Sequence, residues 1–455
     1  MATMGRPAMA TMGRPWSMVM KDIRVGLIGF GTVGSGVVKI LEKNGTLIEK
    51  RLGVPLILKS IADLDLETDR GVRVDSSRLT RHARDVIEDP EISIVIELIG
   101  GFEPARSFVL DALRHKKHVV TANKALLAVH GDEIFRVAHQ HGVDINFEAS
   151  VGGGIPIIRS LREGLAANRM LSLLGILNGT SNYILSRMTE KGEEFEDVLR
   201  LAQREGFAES DPSMDVEGFD PAHKLAILIS LAWGVRVRFE DIPREGISAV
   251  SPLDIQVAAE FGYKIKPLAM ARAEESQIEA RVHPALVPMD HPLASVDGVY
   301  NAVMVVGDAV GSTIFYGQGA GQMPTGSAVV SDVIELARKV HHKTRGRLSP
   351  YSHQRRYVKK IRIKNIQHVD SRWYLRLSID DRSHLVGRIT GILEKHGVGM
   401  TTVTRGGQAA GRAVPLVIMT GTARGRSVGR ALAEIDQLSG VLEKTRGIRI
   451  EDRFS

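Results

Sequence analysis

The stretch Gly206-Phe-Ala-Glu209-Ser-Asp211-Pro-Ser-Met-Asp215-Val-Glu217-Gly-Phe-Asp220-Pro-Ala-His-Lys224 places five acids within twelve residues and then a lysine. A carboxylate cluster suits an ammonium group. A lysine beside it can hydrogen-bond a hydroxyl or carbonyl oxygen, and can trade a proton with that oxygen if its pKa falls toward the working pH. With a hydride acceptor alongside, such a set would interconvert an alcohol and an aldehyde on an amino acid. The spacing predicts a helix from about Asp220-Pro221 through the apolar run to Trp233, with Asp220 as N-cap and proline in the first position. Asp220 and Lys224 then lie near one face. A capped helix with a local Asp–Lys pair accounts for the same residues without any chemistry.

A hydride acceptor needs its own site. Residues 23–30 read as a short apolar strand that runs into Gly29-Phe30-Gly31-Thr32-Val33-Gly34, followed by a helix from Ser35 to Lys43. This is G-x-G-x-x-G between strand and helix. The first glycine permits the tight turn, the second lets a pyrophosphate approach, and the third lets helix and strand pack closely. A second strand over 55–62 ends at Asp63, where an acid can accept the ribose hydroxyls of NAD and repel a 2′-phosphate. Capping of the following turn is the plainer role for Asp63 or Asp65. Further strands at 94–99, 118–121 and 143–147 alternate with helices at 105–115 and 124–141, which points to a doubly wound parallel sheet. Ligands in such sheets sit at the C-terminal strand ends. Thr121-Ala-Asn123-Lys124 leaves one of those ends, so Lys124 is a candidate phosphate or carboxylate contact, or an ordinary surface lysine.

Three other segments could line a site. Glu148-Ala-Ser150-Val151-Gly-Gly153-Gly154-Ile155-Pro156 could expose carbonyl oxygens to a cation or cofactor, or act as a hinge. Asn178-Gly-Thr180-Ser-Asn182 follows a buried strand at 171–177. Its side chains suit a substrate carbonyl or hydroxyl, and equally a turn and N-cap. Gly317-Gln-Gly319-Ala-Gly321 precedes a helix from about 327 to 340, expected to pack back on the first domain.

Composition narrows the field. At 455 residues the chain has room for roughly three domains of about 150 residues. Apolar residues make up 43% and charged residues 25%, which argues against wholesale disorder. There is no cysteine, so disulfides, thiolate metal sites and thioester chemistry are excluded. The longest apolar run, 225–235, is far short of the ~20 residues a membrane span needs. The net charge is +7, and residues 341–365 carry nine Lys or Arg and no acid, so the rest of the chain stands at −2. A nucleic-acid reading therefore rests on one segment, which is better read as a solvated basic linker. Residues 1–20 contain MATMGRPA followed by MATMGRPW and are expected to be an unstructured extension.

Taken in order, Gly29–Gly34, Thr121–Lys124, Glu148–Pro156, Asn178–Asn182, Gly206–Lys224 and Gly317–Asp332 resemble the homoserine dehydrogenase family over about residues 23–340. The resemblance implies NAD(P)-dependent interconversion of L-homoserine and L-aspartate 4-semialdehyde, a step of threonine, methionine and isoleucine biosynthesis in the cytoplasm. Carried over, Lys224 is the proton donor or acceptor at the reacting oxygen and Lys124 assists it, touching cofactor and substrate. Glu209, Asp215, Asp220 and Thr180 would bind substrate. Gly29, Phe30, Gly31, Thr32, Val33, Gly34, Asp63, Gly206 and Gly321 would bind NAD or NADP. Glu148, Val151, Gly153 and Ile155 match a monovalent-cation loop (Na+ or K+) that uses mainly backbone carbonyls. Many NADP-using relatives carry Arg just before the acid that ends the second strand; here Ala62 precedes Asp63, which favours NAD or dual use.

The remaining residues, 371–455, read as βαββαβ, a ferredoxin-like order similar to an ACT regulatory domain. That implies feedback control, most often by threonine, although Asp380-Asp381-Arg382-Ser383-His384 lacks the usual Pro-Gly step. The expected domains are 21–150 with about 322–340 for the dinucleotide, 151–321 for substrate and dimerisation, a basic linker at 341–370, and the regulatory domain. A homodimer or homotetramer is expected, with neither nucleic acid nor membrane as partner. Two other readings fit the scaffold: another amino-acid dehydrogenase with the same nucleotide fold, and a non-catalytic amino-acid sensor.

Overall fold

The computed structural model describes residues 22–344, 349–380, 384–405 and 413–452. The extension expected at 1–20, the cations Arg345 and Arg347, and Asp381, Arg382 and Ser383 lie outside the described residues.

Six parallel strands form the first sheet, in the order Leu79–Thr80, Leu56–Ala62, Ile23–Ile28, Ile94–Glu97, His118–Thr121, Ile145–Asn146. Counted along the chain this is 3-2-1-4-5-6, the doubly wound order whose switch point lies between the first and fourth strands. Its central strands are apolar at successive positions because helices cover both faces. On one face Thr32–Leu52 and Gln322–His341 enclose Val25, Leu27, Val37, Ile61, Ile96, Val329 and Leu336. On the other, Ala105–Arg114 and Lys124–His141 cover Val95, Val109, Leu113, Val119, Leu126 and Ile134. The helix expected from about 327 starts instead at Gln322, directly after Gly321. Pro324 is tolerated there because a first-turn residue needs no intrahelical N–H bond.

The second sheet runs Gly311–Gln318, Tyr300–Gly307, Met170–Ile176, Tyr263–Ala273, Gln277–Pro288, Arg446–Ile450, Asp370–Asp380, Ala413–Thr420, Met400–Arg405. Helices Gly179–Lys191 and Phe219–Trp233 pack on its Tyr263–Ala273 strand. The last four strands and the helices Leu385–Lys395 and Gly425–Ile435 form the ferredoxin-like βαββαβ unit, spatially fourth-first-third-second. That unit has its own core around Leu375, Leu377, Ile389, Leu393, Ile418 and Val428.

This C-terminal unit shares a sheet with the preceding domain. Arg446–Ile450 pairs in parallel with Gln277–Pro288 through Ala285 with Arg449 and Leu286 with Ile450. The N–H of Glu451 donates to the Leu286 carbonyl at 2.9 Å. Beside this seam the buried guanidinium of Arg281 pairs with Glu279 and Glu451, and Arg449 pairs with Glu245. The Tyr374 hydroxyl and Arg376 Nε both donate to Asp254, at 2.9 and 2.6 Å.

The basic segment also departs from a solvated linker. Lys359–Lys360 pairs with Val235–Arg236, and Arg362–Ile363 pairs with Gln277–Ile278. Lys364 Nζ lies 2.6 Å from Glu274. Two-residue pairings are too short to leave a period-two pattern in the sequence, and their energy comes from backbone bonds rather than from apolar side chains.

Candidate active site

The site is built from strand ends and helix starts. At the glycine turn, Gly29 has φ +99° and its N–H donates to the Ala62 carbonyl at 2.8 Å. A Cβ on Gly34 would lie 2.2 Å from the Gly29 carbonyl oxygen, so helix and strand meet at that point. A Cβ on Gly31 would meet nothing within 4 Å. The turn therefore has tight packing at the first and third glycines and an open cradle at the second, above the uncapped start of helix Thr32–Leu52. Those free N–H groups and the positive end of the helix dipole suit a pyrophosphate. Thr32 is exposed and Val33 half-buried on this first turn. Gly321 stands beside it: the following residue, Gln322, packs its carbonyl against Gly36 and donates from Nε2 to Ser35 Oγ at 2.8 Å.

Asp63 reaches the same turn. One carboxylate oxygen accepts the Phe30 N–H, and the other accepts the Asp65 N–H at 2.9 Å. Arg70 lies 3.8 Å from that carboxylate and stacks 5.4 Å from the Phe30 ring centroid.

Sequence reasoning missed Glu97. It is 1% exposed and pairs in register with Thr121, whose hydroxyl donates to it at 2.7 Å. Its other oxygen accepts the N–H groups of Ile99 and Gly100. Burial outweighs these bonds and raises its pKa. Glu97 thereby ties the end of the strand beside the switch point to the end of its outer neighbour, His118–Thr121. The available signal was an acid closing an otherwise apolar strand beside Thr121.

Lys124 opens helix Lys124–His141, which Asn123 caps by accepting the Leu126 N–H at 3.0 Å. Its Nζ lies 3.2 Å from Asp220 Oδ1. The charge of Asp220 raises the lysine's pKa against the opposing effect of burial.

Asp220 is not the expected N-cap. Helix Phe219–Trp233 starts two residues earlier, on Gly218 with φ +80°, a left-handed conformation that glycine adopts without strain. Asp220 is thereby freed to face the site from the first turn. Its Oδ2 accepts from Lys224 Nζ at 2.6 Å and from Asn178 Nδ2 at 2.9 Å. Burial pushes this carboxyl up, and the charges of Lys224 and Lys124 overcome that and hold it well below its ordinary value. Lys224 itself is 8% exposed and also donates to the Leu177 carbonyl at 2.6 Å. An ammonium has three N–H groups, so one is left for a substrate oxygen.

Asn178 holds the acidic segment to the second sheet. Its Oδ1 caps helix Gly179–Lys191 through the Ser181 N–H, while its Nδ2 bridges Asp220 and Asp215, the latter at 2.6 Å. The capping role and the site role thus coexist in one side chain. Thr180 donates its hydroxyl to the Phe207 carbonyl at 2.7 Å, so that proton is committed to the acidic segment. Glu209 is exposed, and its charge contributes to raising the Lys124 pKa. Gly206, φ +78°, turns the chain after helix Phe195–Arg204.

In the loop of Glu148, Val151, Gly153 and Ile155, the Glu148 carboxylate accepts the N–H groups of Ile158 and Arg159 at 2.7 and 2.8 Å. Its own N–H donates to buried Asp332 at 2.7 Å. The side chain is spent on the helix start, and the carbonyls of Gly152 and Ile155 accept the N–H groups of Ile155 and Ile157 at 2.9 and 2.8 Å. Gly153 lies against the Gly319 carbonyl. Among the described residues no three His, Cys, Asp or Glu side chains converge as metal ligands, and no helix is long and apolar enough to cross a membrane.

A dinucleotide cradle at the switch point of one sheet, facing two lysines on one carboxylate from the next domain, defines a nicotinamide-dependent α/β dehydrogenase. Residues 29–148 match the family model "Homoserine dehydrogenase, NAD binding domain", and residues 156–334 match "Homoserine dehydrogenase". The homoserine dehydrogenase of Pseudomonas aeruginosa is 43% identical over 435 residues, covering 95% of this chain and 99% of that protein. The crystal structure of one from Thiobacillus denitrificans is 44% identical with a TM-score of 0.89, covering 95% of this chain and 99% of that one. A hyperthermophilic archaeal homoserine dehydrogenase in complex with NADPH is 26% identical with a TM-score of 0.59, over 70% of this chain and 98% of that one. The chain belongs to the homoserine dehydrogenase family, NAD(P)-dependent oxidoreductases that interconvert L-homoserine and L-aspartate 4-semialdehyde.

Proposed function

We propose that the Asp220–Lys224–Lys124 cluster is the reaction centre for that interconversion. The observation that carries this reading is one buried carboxylate joined to two lysines from two domains, with a Lys224 N–H left over. A bound nicotinamide supplies the hydride donor or acceptor. In the aldehyde-reducing direction the remaining N–H of Lys224 hydrogen-bonds the carbonyl oxygen and gives that oxygen a proton as it becomes the hydroxyl. In the reverse direction the hydroxyl proton returns to the lysine. Asp220 keeps Lys224 in place, and Lys124 adds a second cation at the domain boundary. Glu209 and Asp215 supply negative charge for the substrate ammonium, and Asn178 fixes the acidic segment.

Asp63 favours NAD, because its carboxylate stands beside Phe30 at the glycine turn, where a 2′-phosphate would meet a like charge. A monovalent cation at Val151–Ile155 would draw on backbone carbonyls, with Glu148 shaping the loop. The C-terminal unit serves as an ACT-type regulatory domain responding to threonine; its ferredoxin-like strand order and its shared sheet support this reading. The enzyme assembles at least as a homodimer. The edge strand Gly311–Gln318 presents Ile314 and Tyr316, 41% and 56% exposed, and an apolar edge of this kind favours pairing with a second copy.

Initial rates at 340 nm with L-homoserine, taken with NAD and NADP and with and without threonine, test these points together. Saturable reduction with NAD preferred, slowed by threonine, is expected. NADP preference would overturn the Asp63 argument, and indifference to threonine the regulatory one.

A further inference from the structure

At the C-terminal end of helix Lys124–His141 lies a cavity of about 710 Å³ that the dehydrogenase reading does not use. Its walls come from the second half of helix Lys124–His141, the strand residue Asn146, the helical segment Ser160–Gly164 that carries Arg162, the end of helix Gln322–His341, and residues 349–358. The last of these belongs to the basic segment whose charge had no assigned purpose. Tyr351 fastens that segment down: its ring packs edge-on to Phe135 at 5.1 Å, and its hydroxyl donates to Asp132.

Three side chains on these walls leave buried polar atoms without a hydrogen bond: Asn146, Arg162 and Asp144, the last through an Oδ2 that still faces Lys339 as an ion pair. Asn146 is 1% exposed, and neither its Oδ1 nor its Nδ2 is hydrogen-bonded. Arg162 is 7% exposed, and its Nε–H has no acceptor. A buried polar group left unpaired is destabilising, so a ligand that supplies the missing acceptor is favoured. The walls also carry excess positive charge. Their two carboxylates are engaged, Asp144 with Lys339 at 3.3 Å and Asp132 with Arg236 at 3.6 Å. Among the described residues Arg136, Arg162, Arg355 and Arg356 are in no ion pair with a carboxylate, although Arg162 feels Glu148 and Glu335 at longer range. Guanidinium groups match the planar, multidentate geometry of oxyanions better than a point charge does.

We infer that this cavity binds the carboxylate or phosphate group of a small anionic metabolite, held inside by Arg162 and Asn146 and from the exposed side by Arg355 and Arg356. The inference stands on its own residues and does not depend on the assignment of the reaction centre.

The test is calorimetric titration of the full-length protein with inorganic phosphate and, separately, with succinate. Ionic strength is held constant with sodium chloride, and NAD is present at saturation so that the pyrophosphate cradle is filled. Saturable binding of at least one anion is expected, and the preferred one identifies the group. Affinity should fall at least tenfold in Arg162→Gln and in the double variant Arg355→Ala/Arg356→Ala. The double variant alters only exposed side chains and carries the test if Arg162→Gln does not fold. Absence of binding by either anion, or wild-type affinity in the folded variants, would overturn the inference.

Discussion

Asp220 and Lys124 meet across the boundary between the two sheets: Oδ1 of the first lies 3.2 Å from Nζ of the second, while Oδ2 holds Lys224 at 2.6 Å. Lys124 starts the helix that leaves a parallel strand, and Asp220 sits in the first turn of a helix packed on the other sheet. This ion pair therefore joins the parallel-sheet domain to the helix packed on the second sheet.

Lys124→Met should cut kcat/KM about 100-fold or more, the scale of a positioned ionisable group. It also removes one of the two cations that keep Asp220 ionised. The acid limb of the kcat/KM profile should then move to higher pH. A variant with a normal profile would separate Lys124 from the carboxylate's chemistry.

Asp63→Ala should raise the NADP-to-NAD ratio of kcat/KM about tenfold, since removing one like-charge contact of about 1.4 kcal/mol corresponds to that factor. The same change takes away the acceptor for the Phe30 N–H, so some loss with both cofactors is expected. The ratio, measured by parallel initial rates, is the diagnostic quantity, and an unchanged ratio would remove Asp63 from cofactor selection.

Glu451→Ala should destabilise the protein by about 3 kcal/mol, because it strips a partner from a buried guanidinium at the seam of the shared sheet. Burial works against the Glu451 carboxylate, but the charge of Arg281 prevails and brings its pKa down to about 2. A depressed acid stabilises the fold above its unfolded pKa and loses that contribution as pH falls, here between about 4 and 2. Thermal unfolding across this range should show a steeper acid loss in the wild type than in Glu451→Gln. Equal slopes would remove the pair from the seam's energetics.

Asp332 shows the opposite sign. Full burial, reinforced by the charge of Glu148, raises its pKa well above the ordinary value. Its contribution is therefore complete below the unfolded pKa of about 4 and is lost as pH rises through the folded one. Asp332→Asn keeps an acceptor for the Glu148 N–H and removes the titration. Its stability should decline less than the wild type's as pH rises above about 4, by thermal melts at constant ionic strength. A decline as steep as the wild type's would show that Asp332 does not carry the effect.

Several parts of this arrangement were legible in the residues. The glycine turn could be read because each glycine answers a separate steric demand, and helix Lys124–His141 because helices alternate with strands along the first domain. The link between Asp220 and Lys224 followed from helical spacing. What stayed hidden depended on contacts between segments distant in sequence. Glu97 meets Thr121 only through strand register, and Asn178 reaches Asp215 and Asp220 across about forty residues of chain. Asp220 looked like a cap because Asp-Pro is a strong helix-start signal, and the left-handed Gly218 cap moved the start by two residues. The continuity of the second sheet into the C-terminal unit rests on two residue pairs, and composition gives no hint of them.

The central claim is that Lys224 handles the proton at the reacting oxygen. The most direct test is kcat for L-homoserine oxidation by Lys224→Met and the wild type at saturating NAD and substrate, with matching circular dichroism spectra and cofactor affinity. The account predicts a fall of about 10²–10⁴ in kcat with the fold and cofactor binding retained. A folded, cofactor-binding variant that turns over within a few-fold of the wild type would contradict it.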